Sequence, residues 1–484
     1  MALASFHRSL LRRLIKILGV AGAAALLMHL LRRATQPRLL PPAPPAKQAK
    51  SAPTGRVVAI TGANGYLGSA CVELFLLRGH NVRACVRGKP IAPGYHFLKQ
   101  AAAALGAEDS LTISGGCALS PGSNECFRTA FAGCDAVVHT AMPMDHSELV
   151  FGSDEYARLR RELVGATVRV CEAAADAGVR TLVLTSSSTA VMGSVRDGQV
   201  YNEHDWSDAQ PGTSAYGMLK SAVERAAVEW HCEHNEPFRF VPRAHTVPAL
   251  ATAPVNSPHC LPVHCVRYRL VRICPPGIIG PSIAPTINEF IQQFITSPLT
   301  DVLKWSSIPQ MRFHLCTLRD AAFAHALAVE NQEADGRYCI GAHSFDAGEW
   351  LRALRAAGYT WPTYPVLHLP VPGPTWLATP VFKLALSTPA VARLLGFGPE
   401  NVRAILSILG VGGWRYDCSR AAGELAGRNA ERPFSHACVV EAGVAAARSL
   451  EARGVLSGIV GRVTPEGRRW VPQPWESRYC GATG

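Results

Sequence analysis

The sequence predicts an α/β protein built on a doubly wound parallel sheet. Three observations predict it. Arg56–Thr61 (RVVAIT) is a β-branched run that leads straight into a glycine turn, Gly62-Ala-Asn64-Gly65-Tyr66-Leu67-Gly68, and then into a helical stretch. Thr181–Thr185 (TLVLT) is a short apolar run of the kind buried in parallel sheets, and it ends in Ser186-Ser187-Ser188. Downstream, Tyr216 and Lys220 stand four residues apart at the start of a helical segment, on one face of it.

The elements follow in order. After the turn a helix is expected over Ser69–Arg78, then a second strand over Asn81–Val86. The glycines permit a tight turn, so that a pyrophosphate can rest against free N–H groups at the helix start. The second strand runs into Arg87-Gly88-Lys89, where an enzyme using NAD offers an acidic residue to the ribose 2′-hydroxyl. Arg87 and Lys89 favour a 2′-phosphate instead, hence NADP over NAD, unless they are solvated loop charges. A buried parallel strand is expected at Thr181–Thr185, and the helix that carries Tyr216 and Lys220 runs from Ser214 through Glu229. A strand at Arg269–Cys274, a helix at Asn288–Ile295, a strand at Arg312–Cys316, a helix at Leu318–Glu330 and a strand at Gly336–Ile340 complete the body.

Chemistry is expected at the carboxyl ends of the strands. A free tyrosine titrates near 10, and a neighbouring ammonium stabilises the phenolate and lowers that value. Tyr216 beside Lys220 can then exchange a proton with a substrate oxygen.

Composition narrows the function classes. With 48% apolar and 17% charged residues in 484, the chain has material for a large core, and whole-chain disorder is excluded. The net charge of +12 suggests nucleic acid at first, but residues 1–54 hold nine Lys/Arg and no acidic residue. The rest carries 39 basic against 36 acidic residues, an ordinary enzyme surface and no phosphate-binding stripe. Fifteen cysteines are scattered without a CxxC pair, which suits reduced thiols rather than a disulfide framework. No Asn-x-Ser/Thr acceptor occurs, which disfavours a luminal setting.

Residues 1–33 form a basic, apolar amino-terminal segment. Leu14–Leu31 is apolar except for Lys16 and His29, and as a helix it would span roughly 27 Å. It reads as a single-pass anchor, a cleaved organellar transit sequence or an interfacial helix. Basic residues on both sides leave orientation open. Residues 34–54, with six prolines, read as an extended linker. The body is therefore expected over 55–456 and a tail over 457–484. The location that follows is a membrane surface facing a reducing compartment, or an organelle after transit-peptide removal.

Taken together, TGANGYLG at 61–68, VRACVRG at 82–88, CDAVVHTAMP at 134–143, TSSS at 185–188, YGMLK at 216–220, PPGIIGPS at 275–282 and YDCSRAAGEL at 416–425 resemble the extended short-chain dehydrogenase/reductase family. The branch is that of dihydroflavonol-reductase-like and cinnamoyl-CoA-reductase-like carbonyl reductases, and the likeness covers roughly Arg56–Leu456. The resemblance implies a Rossmann-type fold with a smaller carboxyl-terminal substrate-binding lobe, and an NADP-dependent interconversion of a carbonyl and a secondary alcohol. It also implies that Ser187 hydrogen-bonds the substrate carbonyl, that Tyr216 donates the proton, and that Lys220 holds the nicotinamide ribose. Ala141 and Pro275 would line the cofactor cleft. A small, apolar carbonyl or alcohol substrate is implied, with no metal and no nucleic acid. The alternatives are a 3β-hydroxysteroid or sterol dehydrogenase, a nucleotide-sugar epimerase or dehydratase, or a non-catalytic NADP-binding sensor or scaffold.

Departures from the branch bear on substrate. The cinnamoyl-CoA reductase signature is replaced by Thr213-Ser-Ala-Tyr-Gly-Met-Leu-Lys220. The Asn or Asp that dihydroflavonol reductases carry five residues after the serine is Met192 here. The acidic residue expected near the adenine is missing from Ile113–Leu119. Residues 241–268 are an atypical insertion, read as an exposed loop or as untranslated gene sequence. Its His259, Cys260, His264 and Cys265 lack a second ligand pair that would make a zinc site. Trp361, Tyr364, Trp376 and Phe382 are candidates either to roof an apolar pocket or to pack a core.

Overall fold

The computed structural model describes residues 55–120, 124–142, 149–193, 195–207, 214–234, 268–284, 312–341, 343–346, 383–394, 398–408 and 413–425, with residue 380 and short helical pieces between 439 and 446. Seven parallel strands form the central sheet: β1 (Val57–Thr61), β2 (Asn81–Cys85), β3 (Leu111–Ser114), β4 (Ala136–His139), β5 (Thr181–Thr185), β7 (Arg269–Cys274) and β10 (Gly336–Cys339). Their order is β10-β7-β5-β4-β1-β2-β3, and every neighbouring pair is parallel. Order reverses between β1 and β4, which opens a crevice at the carboxyl ends of those two strands.

Helices cover both faces. Strand side chains alternate, so Val58, Ile60, Val183 and Val271 pack with α1 (Tyr66–Leu77), α2 (His96–Ala104) and α6 (Leu318–Glu330). Ala59, Val137, Leu182 and Leu184 pack with α3 (Asn124–Phe131), α4 (Asp154–Asp176) and α5 (Ala215–His234). This two-sided burial explains the near-continuous apolar character of β4 and β5, whose residues are all buried. Side-chain caps fix two helix starts: Ser153 accepts from the Tyr156 N–H, and Thr317 accepts from the Asp320 N–H.

The smaller lobe begins as a three-stranded sheet, β11-β9-β8, made of β8 (Gly277–Ile279), β9 (Arg312–Thr317) and β11 (His343–Asp346). Two short helices follow, α7 (Pro389–Leu394) and α8 (Pro399–Ile408). Then β12 (Arg415–Tyr416) returns to pair with β6 (Val200–Tyr201), and the Tyr416 hydroxyl donates to the Ser188 carbonyl at 3.3 Å. The chain near 416 is thereby tied to the serine turn after β5.

The doubly wound reading holds, with two differences. The first helix starts at Tyr66, not Ser69, because the glycine turn hands directly into it. The cysteines are not all reduced: Cys117 and Cys126 form a disulfide, joining the segment after β3 to α3. Nine residues apart, they are brought within 5.5 Å (Cα to Cα) by the chain's turn between strand and helix, which no CxxC pattern signals. Nine other cysteines among the described residues are free. Tyr268 packs edge-on against Trp230 of α5, with ring centres 5.7 Å apart. The segment 14–31, the linker, His259, Cys260, His264, Cys265, helix 288–295, the aromatic group from Trp361 to Phe382 and the tail lie outside the described residues. Within the described residues no helix is long and apolar enough to cross a membrane.

Candidate active site

The glycine turn occupies the crevice between β1 and β4. Gly62 has φ +67°, a conformation L side chains rarely adopt, and a Cβ there would stand 2.8 Å from the Ala141 Cα. A Cβ on Gly68 would lie 2.1 Å from the Gly62 carbonyl oxygen, so α1 can close onto the turn only with glycine. Gly65 donates its N–H to the Gly62 carbonyl at 2.8 Å and precedes α1, whose start has no side-chain cap and no acidic residue in its first turn. That leaves the helix start with its positive end toward the crevice, which suits a pyrophosphate. Asn64, Tyr66 and Leu67 are half-buried around the turn, and the Tyr66 hydroxyl donates to the Gly280 carbonyl.

Arg87 and Lys89 are exposed just past β2, whose Cys85 carbonyl accepts the Ala63 N–H at 3.3 Å. They therefore stand at the edge of the glycine turn. The floor beneath them is the segment after β3: Gly116 donates to the Gly88 carbonyl and Cys117 to the Val86 carbonyl.

Ser187, Tyr216 and Lys220 come together at the end of β5. Ser187 is 7% exposed, and its Oγ accepts from the Thr189 N–H at 3.2 Å and the Thr189 hydroxyl at 2.9 Å. Its own hydroxyl proton stays available to a substrate oxygen. The turn is pinned to β7, since Ser186 donates to the Ile273 carbonyl and Ser188 to the Pro275 carbonyl, both at 2.8 Å. Gly217 lets α5 approach this turn closely: a Cβ there would sit 2.8 Å from the Thr189 carbonyl oxygen. The Lys220 ammonium donates to the Thr185 carbonyl at 3.0 Å and lies 5.9 Å from the Tyr216 ring centre. Burial pushes Lys220 down to about 8, with Cys274 and Glu224 acting the other way.

Sequence reasoning passed over the groups around this lysine. His139, at the end of β4, is hydrogen-bonded to the Thr61 hydroxyl at 2.7 Å, and burial together with Lys220 pushes it down to about 3. His325 of α6 is bonded through Nε2 to the Thr185 hydroxyl at 2.7 Å, and its Nδ1 donates to the Ala321 carbonyl. Burial holds it near 4. Both imidazoles are therefore neutral at pH 7, and neither competes with Lys220 as a cation. Glu224 lies one helical turn past Lys220, fully buried, and accepts from the Ser186 hydroxyl at 2.6 Å. The spacing Lys220 to Glu224 was a signal for it, but a buried carboxylate looks in sequence like a solvated one. No group of three or more His, Cys, Asp or Glu among the described residues is arranged to hold a metal ion.

Comparison with known proteins shows the family. Residues 58–341, more than half the chain, match the NAD dependent epimerase/dehydratase family. The chain is similar to cinnamoyl-CoA reductase 1 of Oryza sativa subsp. japonica, 30% identical over 316 residues, covering 64% of this chain and 77% of that one. It is also similar to the bifunctional dihydroflavonol 4-reductase/flavanone 4-reductase of Malus domestica, 26% identical over 320 residues, covering 65% and 78%. Among solved structures, yeast methylglyoxal/isovaleraldehyde reductase Gre2 complexed with NADPH superposes with a TM-score of 0.52 at 17% identity, covering 82% of this chain and 99% of that one. That likeness concerns the fold. The chain belongs to the NAD-dependent epimerase/dehydratase family, on the branch of the cinnamoyl-CoA and dihydroflavonol reductases, and is an oxidoreductase.

Proposed function

We propose that the protein is an NADP-dependent oxidoreductase that interconverts a carbonyl and a secondary alcohol at Ser187, Tyr216 and Lys220. The observation that carries the reading is a buried lysine at the strand ends, beside a tyrosine one helical turn back and a serine on the facing turn. The glycine cradle and the uncapped start of α1 fit a dinucleotide, with Gly62, Asn64, Gly65, Tyr66, Leu67 and Gly68 around the pyrophosphate. Ala141, packed on Gly62, and Pro275, packed on the serine turn, border the cleft.

The coenzyme supplies or accepts the hydride; the chain supplies position and charge. In reduction, Ser187 donates a hydrogen bond to the substrate oxygen and Tyr216 gives that oxygen its proton. Lys220, held on the Thr185 carbonyl, places a positive charge near the phenol, which stabilises the phenolate left behind. Its second task is a hydrogen bond to the coenzyme ribose.

NADP is assigned from Arg87 and Lys89 at the rim of the cradle. Arg87→Ala is expected to weaken NADPH binding about 10-fold or more and to change NADH binding less than about twofold, read by fluorescence titration. Equal weakening of both would remove the assignment. The substrate is a small apolar carbonyl compound or alcohol. The names of the plant relatives do not transfer directly, because Met192 and the 213–220 stretch depart from both signatures. The function is tested by incubating purified protein with ketones, aldehydes, steroids and nucleotide sugars, with each coenzyme, and following absorbance at 340 nm. Consumption of NADPH with formation of the matching alcohol supports the reading; nucleotide-sugar epimerisation without net coenzyme change replaces it.

The apolar sequence at 14–31 and the proline-rich sequence at 34–54 support the reading of a body held beside a membrane or delivered to an organelle. A variant lacking residues 1–54 is expected to remain in the supernatant after lysis and to bind NADPH as the full chain does. Full-length, uncleaved chain recovered in the soluble fraction would contradict both the anchor and the transit reading.

A further inference from the structure

Glu224 of α5 and Arg337 of β10 form an ion pair at 2.8 Å in the interior, and their side chains are 0% and 2% exposed. A second contact joins them, from the Arg337 NH2 group to Glu224 Oε2 at 2.8 Å. Arg272 of β7 approaches Glu224 at 3.5 Å. Glu224 Oε2 also takes the Ser186 hydroxyl at 2.6 Å. Arg337 reaches outward: it donates to the Ala190 carbonyl at 3.2 Å, the Glu203 carbonyl at 3.4 Å and the Asp205 carbonyl. Its guanidinium lies 4.0 Å from the ring centre of Trp206. Glu203 in turn accepts the N–H of Cys339, two residues past Arg337 in β10, at 3.0 Å.

We propose that the Glu224–Arg337 pair is a positioning device, with Glu224 setting Ser187 through Ser186 and Arg337 setting the 203–206 segment against the serine turn. The proposal rests on the reading of Ser187, Tyr216 and Lys220 as the reacting site. The contacts the pair makes to a hydroxyl and to backbone carbonyls argue for placement over bulk stability. A buried ion pair loses the hydration of both ions, and apolar residues of similar volume commonly stabilise a fold as well or better. What apolar residues cannot do is hold a hydroxyl and three backbone carbonyls in fixed directions. Each residue leading to Ser187 is held this way: Thr185 by His325 and Lys220, Ser186 by Glu224. Because Glu224 and Lys220 share a helix, the same rod that carries Lys220 and Tyr216 also fixes the serine that faces them.

The test uses the full chain with two changes, the Glu224→Leu/Arg337→Met double variant and the milder Ser186→Ala. Four quantities are compared with the parent: melting temperature, NADPH affinity, amide hydrogen exchange over residues 186–207, and turnover on the carbonyl compound the parent reduces best. The double variant is expected to melt several degrees below the parent, because Arg272 loses its carboxylate and the Ala190, Glu203 and Asp205 carbonyls lose their donor, and to bind NADPH within about twofold. Its exchange over 186–207 should rise about 10-fold, and kcat should fall about 10-fold or more with a smaller change in KM. Ser186→Ala should show a smaller fall in kcat, about threefold, with exchange raised at 186–190 only. Parent-like exchange and kcat in a folded double variant would overturn the proposal. If the double variant does not fold, parent-like exchange and kcat in Ser186→Ala overturn it equally. A parent that reduces nothing defeats the catalytic reading, and the exchange measurement then still decides the positioning.

Discussion

Lys220→Met is expected to melt a few degrees above the parent at pH 7 while binding NADPH poorly and turning over at least about 10²-fold more slowly. The lysine is buried, and its value falls from the ordinary 10.5 to about 8, chiefly through loss of hydration. A displacement of that size corresponds to a charge-burial cost on the order of 3 kcal/mol at neutral pH. Between about pH 8 and 10.5 the unfolded chain holds a proton the folded chain has released, so stability rises with pH across that window. Below the window the cost is fully present, and methionine removes it. Part of the gain is offset because the Thr185 carbonyl loses its ammonium donor, at about 1 kcal/mol. The same titration sets a pH dependence of reduction. Parent turnover should decline as pH rises through about 8, where Lys220 gives up its charge, and the methionine variant should lack that decline. Calorimetry and a pH–rate profile check the two halves. A variant less stable than the parent at pH 7 would mean that the ammonium is held by contacts stronger than the Thr185 carbonyl provides.

Tyr216→Phe is expected to act on the reaction alone. The ring remains on α5, the glycine cradle lies across the crevice, and Lys220 keeps its carbonyl partner, so NADPH affinity should stay within about twofold of the parent. The lost hydroxyl is needed only where negative charge gathers on the substrate oxygen. General acid–base help of that kind contributes about 10² to 10⁴ in rate. Ser187 still donates its hydrogen bond in the variant, which sets a residual rate above that of the coenzyme and substrate in water. Ser187→Ala should mainly lower kcat, and its Thr189 donors would be left facing the vacated place.

The parts of this protein legible in its sequence are those whose chemistry is local. The glycine turn could be read because Gly62 and Gly68 meet steric limits set within a few residues and by the β4 end. Tyr216 and Lys220 share a helix face four residues apart, and β5 is short, apolar and followed by serines. Helix α6 was read at its observed bounds, Leu318–Glu330, because its cap Thr317 and its alanine-rich face are both local signals. Helix α4 carries an equally good cap at Ser153, but its sequence from 154 to 176 is rich in charge and was not assigned; only packing against α5 and the sheet shows which side is apolar. The supporting groups were hidden for the opposite reason. His139, His325, Glu224 and Arg337 lie on four different elements, and each reaches a partner distant in sequence, Thr61, Thr185, Ser186 or Glu224, only through the order of the strands and the helices packed on them. The Cys117–Cys126 disulfide likewise depends on where α3 sits after β3.

On the proposed reading, Tyr216 supplies the proton in a carbonyl reduction driven by NADPH. The most direct test is single-turnover oxidation of NADPH, followed at 340 nm, with parent and Tyr216→Phe each saturated with coenzyme and mixed with the same reducible carbonyl compound. The parent is expected to give a burst of oxidised coenzyme and alcohol in equal amounts, and the variant a rate lower by about 10² to 10⁴ at unchanged NADPH affinity. A variant that oxidises NADPH at the parent rate would contradict that reading.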